Sequence, residues 1–234
     1  MRSVGHVIAE LEDIKARFPS VNSIAITDDT FFLPDEEELE AFARLYRQRI
    51  GLPFDAYAHP ATLTARKLET LVSCGCSLVK MGIQAGNDGT NFSIFNRKIP
   101  LTRVVQAIEL LERFPTLRKE YQYITCNPYE TDEQRRQTLH FIAAHHRGQD
   151  RVAVFPLALY PGTELYQRAK ADGILKAEQL DIYQRSYTSI AKRRFDWLGY
   201  HVLLLKAVVG LRRYGMPAGV AHRFIDFMLA RPLR

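Results

Sequence analysis

Apolar residues first recur at Val4, Val7, Ile8, Leu11, Ile14 and Phe18, the three-to-four spacing of an amphipathic helix that Pro19 helps to end. Val21 to Thr27 then gives a short, β-branched run that closes on Asp28-Asp29-Thr30-Phe31. That pattern predicts a buried parallel strand and its following loop. The alternation repeats. Glu36 to Ile50 has helical spacing, Phe54 to Ala58 reads as a strand, and Thr64 to Cys74 is helical after a cap at Thr62 or Thr64. Leu78 to Gln84, Tyr121 to Thr125 and Arg151 to Leu157 read as further strands, with Leu101 to Phe114 and Asp132 to His145 as the helices between them. About five βα units therefore follow one opening helix, and no strand is predicted before it.

Strands that trade places with helices imply a parallel sheet, either open and doubly wound or closed toward a (β/α) barrel. Both place chemistry at the C-terminal ends of strands. The chain has no G-x-G-x-x-G after its first strand and no G-x-x-x-x-G-K-[ST], which removes the usual phosphate-cradling signals of open sheets and favours the barrel.

Composition narrows the setting. With 234 residues, 47% hydrophobic and 25% charged, one globular domain and a short appendage are expected. The formal charge of +6 is local, because acidic residues are nearly absent after residue 184. Three cysteines, Cys74, Cys76 and Cys126, are too few for a disulfide scaffold, so a reducing, cytoplasmic setting is expected. The N-terminus lacks the apolar core of a signal peptide. The stretch Leu203 to Leu211, broken by Lys206, falls short of the roughly 20 residues that span a bilayer.

Four loops carry candidate chemistry, each with a plainer structural reading beside it. Asp28-Asp29-Thr30 could accept hydrogen bonds from an ammonium group, or form an Asx turn that caps the next helix. Met81-Gly82-Ile83-Gln84-Ala85-Gly86-Asn87, followed by Asn96-Arg97, offers an amide suited to sugar hydroxyls and a guanidinium suited to a carboxylate. It equally reads as a glycine-rich turn and a surface arginine. Thr125-Cys126-Asn127-Pro128-Tyr129-Glu130-Thr131 and Leu159-Tyr160-Pro161-Gly162-Thr163-Glu164-Leu165-Tyr166 are Pro-containing strand-to-helix turns.

Together, from about Arg2 to Gly173, "DDTFF", "MGIQAGN" with "NRKIP", "NPYET" and "YPGTELY" resemble the radical S-adenosylmethionine (radical SAM) superfamily, most closely its cobalamin-binding and methylthiotransferase-like branches. The resemblance implies an α/β fold, a partial (β/α)6 TIM-like barrel over residues 1–180 with a basic helical extension over 181–234. It implies S-adenosylmethionine, a [4Fe-4S] cluster and reductive cleavage to a 5′-deoxyadenosyl radical, chemistry that belongs to the cofactors. Carried over, Asp28, Asp29 and Thr30 face the methionine amino group, Gln84 the ribose and Arg97 the methionine carboxylate, while Phe155, Leu157 and Ala158 border the adenine. An electron donor such as flavodoxin or ferredoxin is implied, and cobalamin is a candidate for the parent protein. Ala85 and Cys126 depart from the pattern, which often has Ser at the first position and Gly or Asp at the second.

The family's C-x3-C-x2-C loop follows its first strand, and the opening helix here resembles the helix after that loop. Cys74, Cys76 and Cys126 do not reproduce it. The expectation is a truncated chain that lacks the first barrel strand, does not itself cleave S-adenosylmethionine and leaves an exposed sheet edge that lowers stability. From Arg185 onward, Lys192, Arg193, Arg194, Arg212, Arg213 and Arg223 surround Phe195, Trp197, Leu198, Val202, Leu205, Val209, Phe224 and Phe227. Two or three amphipathic helices packed on the barrel are expected, with contact to a membrane surface or an acidic partner as the alternative. No nucleic-acid motif accompanies the charge. His59 reads as a substrate contact or a His-Pro turn, and His145-His146 as cations at a helix C-terminus. Two other functions remain: a non-catalytic interaction module on such a barrel, and a radical-independent enzyme holding a divalent metal through Asp28, Asp29 and His59.

Overall fold

A computed structural model of the protein describes residues 2–175 and 197–230. The charged and apolar positions from Arg185 to Phe195, with the last four residues, lie outside that range. Five parallel strands form one sheet in chain order, β1 (Ile24–Ala25), β2 (Phe54–Ala58), β3 (Cys76–Gln84), β4 (Arg118–Thr125) and β5 (Arg151–Pro156). Helices fill the connections, so the fold is α/β with the order of a partial TIM-like barrel followed by C-terminal helices. The chain divides into two compact units, Met1–Gly82 with Thr102–Tyr121, and Ile83–Leu101 with Gln122–Arg234.

In the first unit, α1 (Val4–Arg17), α2 (Glu36–Arg49), α3 (Ala65–Ser73) and α5 (Leu101–Glu112, which enters this unit at Thr102) accompany the strands. The caps explain where the helices begin. Asp35 accepts from the Glu38 amide at 2.8 Å, three glutamates fill the first turn of α2, and Arg47 and Arg49 fill its last, an arrangement favoured by the helix dipole. Thr64, the second of the two expected caps, accepts from the Lys67 amide. The strands alternate as half-covered sheets do: Phe54, Ala56 and Ala58 are buried, while Asp55 and Tyr57 are partly open. An aromatic cluster anchors the unit, with Phe31–Phe42 and Tyr46–Phe54 ring centroids 5.1 and 4.9 Å apart.

β1 is shorter than the run Val21 to Thr27 predicts. Only Ile24 of that run is buried, Asn22 and Ser23 are exposed, and pairing with β2 covers Ile24 and Ala25. The Ile26 amide still donates to the Asp55 carbonyl at 2.9 Å before the chain leaves the sheet.

In the second unit, α6 (Asp132–His145) opens on a capping box, with Thr131 and Gln134 satisfying each other's backbone amides. Helices α8 (Trp197–Arg213) and α9 (Ala218–Leu229) pack on α6 and on each other, as the amphipathic pattern of the C-terminal segment predicts. Arg212 is not part of a solvated face: its guanidinium donates to the carbonyls of His146 and Met216. His146 is buried and hydrogen-bonded to Tyr123. Burial drives its pKa down to about 3, so it is a neutral core residue and not the expected cation at a helix end. A short helix that the sequence pattern did not predict, α4 (Asp88–Ser93), follows β3, and α7 (Glu164–Ala171) follows β5.

Candidate functional site

Each of the four sequence motifs sits at a strand end, just after one, or at the start of the helix that follows, and in several the helix start consumes polar residues. Asn87 accepts from the Thr90 amide as the N-cap of α4, Thr131 caps α6, and Thr163 accepts from the Tyr166 amide as the cap of α7. The helix-start reading therefore holds for the third and fourth motifs, and in the second it accounts for Asn87 alone.

It does not hold for Asp28 and Asp29. The next helix is capped by Asp35, and both carboxylates are exposed, with no hydrogen bond or ion pair among the described residues. Their loop is fixed by its apolar end. Phe31 and Phe32 are 9% and 0% exposed, the Phe31 amide continues along β2 to the Tyr57 carbonyl at 2.9 Å, and Lys67 Nζ donates to the Phe32 carbonyl at 2.9 Å. Thr30 lies between the two halves, and its Oγ1 is buried with no hydrogen-bond partner among the described residues. Such an atom carries an uncompensated desolvation cost that a ligand would relieve.

In the second unit, Gln84 ends β3 with φ +70°. The Ala85 amide donates to the Ile83 carbonyl at 3.0 Å across it, which makes Gln84 the centre of a γ-turn of the rare, positive-φ kind. Its side chain is half-buried and makes no hydrogen bond among the described residues. Arg97 follows Asn96, itself at φ +49°, and its guanidinium is partly buried; that burial pushes its pKa below the usual arginine range. A carboxylate ligand would favour the charge that burial opposes. Phe155, Leu157 and Ala158 are half-exposed at the end of β5 and just beyond it, where the Leu157 amide donates to the Thr125 carbonyl at 2.7 Å. Cys126 is a third non-glycine residue with positive φ, at +56°, which gives a backbone reason for Gly or Asp to suit that position.

These loops thus hold polar groups that no described hydrogen bond employs, the Asp28, Asp29 and Gln84 side chains and Thr30 Oγ1, and half-exposed apolar ones at Phe155, Leu157 and Ala158. The two cysteines of the C-x-C pair do not suit a [4Fe-4S] cluster. Cys74 and Cys76 are buried and donate to the Leu71 and Leu78 carbonyls, and burial pushes their thiols up to about 11 and about 12, against the thiolate a cluster ligand requires. Among the described residues no group of three or more His, Cys, Asp or Glu could hold a metal ion. His59 forms the turn of the plainer reading, its carbonyl accepting from the amide and hydroxyl of Thr62.

Two features escaped the sequence. On the partly open face of the sheet in the first unit, Lys80 pairs with Asp55 and lies 5.2 Å from the Tyr57 ring centroid. Burial works against its charge, but the Asp55 hydrogen bond and carboxylate, with Tyr57 and Glu120, outweigh it and raise the pKa. In the second unit, Glu130 is buried and accepts from Thr90 Oγ1 at 3.1 Å. Burial raises its pKa against the opposing pull of Thr90, Arg135 and Asn87. An alternating strand marks Asp55 and Lys80 as facing one side; their pairing depends on the non-local register Tyr57↔Lys80.

Comparison with known proteins agrees with this fold. The family profile described as the Radical SAM superfamily matches residues 1–142. Solved structures of similar fold include the radical S-adenosylmethionine methyltransferase TsrM from Kitasatospora setae with cobalamin and a [4Fe-4S] cluster bound, at TM-score 0.58 and 17% identity over 72% of this chain and 34% of that one. Coproporphyrinogen III oxidase (HemN) from Escherichia coli, a radical SAM enzyme, gives TM-score 0.59 and 21% identity over 77% and 44%. The cobalamin-dependent S-adenosylmethionine radical enzyme OxsB gives 0.52 and 14% over 78% and 27%. The chain therefore spans less than half the length of each. No curated protein matches the sequence significantly. Among the described residues no helix is long and apolar enough to cross a membrane. The family match covers more than half of the sequence, and the chain belongs to the radical SAM superfamily.

Proposed function

We propose that this chain is the S-adenosylmethionine-binding part of a radical SAM enzyme. The reading is carried by Gln84, a non-glycine residue held at φ +70° at the end of β3 with an uncommitted side-chain amide. Backbone strain at a strand end, together with a polar group that has no structural task, is the signature of a residue kept for a ligand.

In this reading Gln84 binds the ribose and Arg97 the methionine carboxylate. Asp28, Asp29 and Thr30 accept from the amino group, and Phe155, Leu157 and Ala158 border the adenine. Carboxylates suit an ammonium group and a guanidinium suits a carboxylate, which is the chemistry that each loop carries by itself. When bound, S-adenosylmethionine supplies the sulfonium whose one-electron reductive cleavage starts radical chemistry. This chain's residues bind and orient it. The electron comes from a reductant of the flavodoxin or ferredoxin kind, and cobalamin is a further proposed cofactor of the parent protein.

Equilibrium binding of S-adenosylmethionine and of methylthioadenosine, which lacks the amino-acid portion, tests the assignment. Gln84→Ala is expected to weaken both ligands, and Arg97→Ala to weaken only S-adenosylmethionine, by about tenfold for a lost charge-assisted bond. Saturable binding indifferent to both substitutions would refute the residue assignment, and no binding would refute the function.

A further inference from the structure

The sequence motifs leave unexplained the short helix α4, which lies between Gln84 and Arg97. Its residue Asn91 is 1% exposed and makes two bonds in different directions. The side-chain Nδ2 donates to the Ala85 carbonyl at 2.9 Å, directly after the strained turn at Gln84. The backbone carbonyl accepts the Arg97 amide at 2.7 Å, across the left-handed residue Asn96. One buried residue therefore ties the Gln84 turn to the Arg97 loop. The neighbouring bonds hold α4 itself: Asn87 Nδ2 donates to the Gln134 carbonyl, Thr90 Oγ1 to Glu130, and the Gly86 amide to Thr138 Oγ1.

The remaining atom of the same amide, Asn91 Oδ1, is buried with no hydrogen-bond partner among the described residues. A leucine, which has the same branching but no polar atoms, would avoid that desolvation cost. Packing alone thus argues against an amide here, while the bond to Ala85 argues for it.

We propose that Asn91 is a positioning residue that fixes the Gln84 turn and the Arg97 loop relative to each other, so that both side chains reach one ligand at once. This inference rests on the S-adenosylmethionine reading above. It has a consequence that general structural support lacks: the tie matters only to a ligand that needs both residues. Methylthioadenosine has the ribose but no carboxylate, so it does not need the coupling.

The test is Asn91→Leu, with Asn91→Ala as a second variant that cannot overpack the site, each measured by equilibrium binding and thermal unfolding. S-adenosylmethionine is expected to bind about tenfold more weakly, the effect of losing one buried hydrogen bond, with methylthioadenosine within about twofold of the unaltered chain. In an Arg97→Ala background the same change at position 91 should add less than about threefold, because the residue it acts through is gone. Equal weakening of both ligands, or full additivity with Arg97→Ala, would overturn the positioning role in favour of general damage. Unchanged S-adenosylmethionine binding in both variants would overturn the inference and leave the function standing. No binding by the unaltered chain would overturn both.

Discussion

Replacing Gln84 by glycine separates what the backbone wants at this position from what a ligand wants. With φ at +70°, an L-residue carries a steric cost of about 1–2 kcal/mol that glycine does not. Glycine in turn loses more unfolded-state freedom, a cost of about 0.5–1 kcal/mol. The difference favours Gln84→Gly by about 0.5–1 kcal/mol, which raises Tm by about 2–3 °C in a chain of this size. The side chain forfeits no hydrogen bond among the described residues, so only its half-buried packing offsets the gain. The same substitution removes the amide proposed to hold the ribose, and S-adenosylmethionine should bind about fivefold more weakly for one lost neutral hydrogen bond. Cys126→Gly is the comparison, since φ there is +56°; its sulfur accepts from Thr125 Oγ1, so its gain in stability should be smaller, with binding unchanged. Urea and thermal unfolding give the first quantity and equilibrium binding the second. A Gln84→Gly chain that is less stable, or more stable with unaltered binding, would refute the claim that Gln84 is strained for a ligand's sake.

Two further outcomes follow from buried charge. The His146 pKa is depressed from an ordinary 6.5 to about 3, so its contribution is present above the unfolded value and is lost as pH falls from 6.5 toward 3. By pH 5 the loss is about 2 kcal/mol, and unfolding of His146→Gln followed between pH 7 and pH 5 should show a correspondingly flatter dependence. At the Lys80–Asp55 pair, with both side chains 19% exposed, Lys80→Met strands a carboxylate and should cost about 2 kcal/mol, between the ranges for exposed and buried pairs, while adding Asp55→Leu should regain most of it. Urea midpoints within experimental error of the unaltered chain for Lys80→Met would contradict that account.

Where local signals agreed, the sequence was easy to read. The bounds of α6, Asp132–His145, are those predicted, because Thr131 and Gln134 form a capping box before a periodic run. β2 is likewise as predicted, enclosed between Pro53 and the His59-Pro60 turn. The run Val21 to Thr27 has strand composition, yet sheet pairing decides a strand's length, and only its middle pairs. Helix α4 was invisible because six residues, Asp-Gly-Thr-Asn-Phe-Ser, carry almost no apolar periodicity. Its one legible mark is Asn87, a residue type that caps helices.

The candidate ligand residues divide the same way. Asp28, Asp29, Gln84 and Arg97 could be named from motif and chemistry, but which polar residues were already committed as caps could not. Asn87, Thr131 and Thr163 are committed, whereas Asp28, Asp29 and Gln84 are not. Asn91, Glu130 and the Lys80–Asp55 pair escaped because each acquires its role from a partner distant in sequence. Hydrogen-bond satisfaction is a property of the folded chain and is not written in any one segment.

The most direct test of the central claim is a titration of S-adenosylmethionine into this chain, with the Arg97→Ala variant and methylthioadenosine as comparisons. Saturable binding is expected, which Arg97→Ala weakens about tenfold for S-adenosylmethionine and leaves within about twofold for methylthioadenosine. No saturable binding, or binding of both ligands that ignores Arg97, would contradict it.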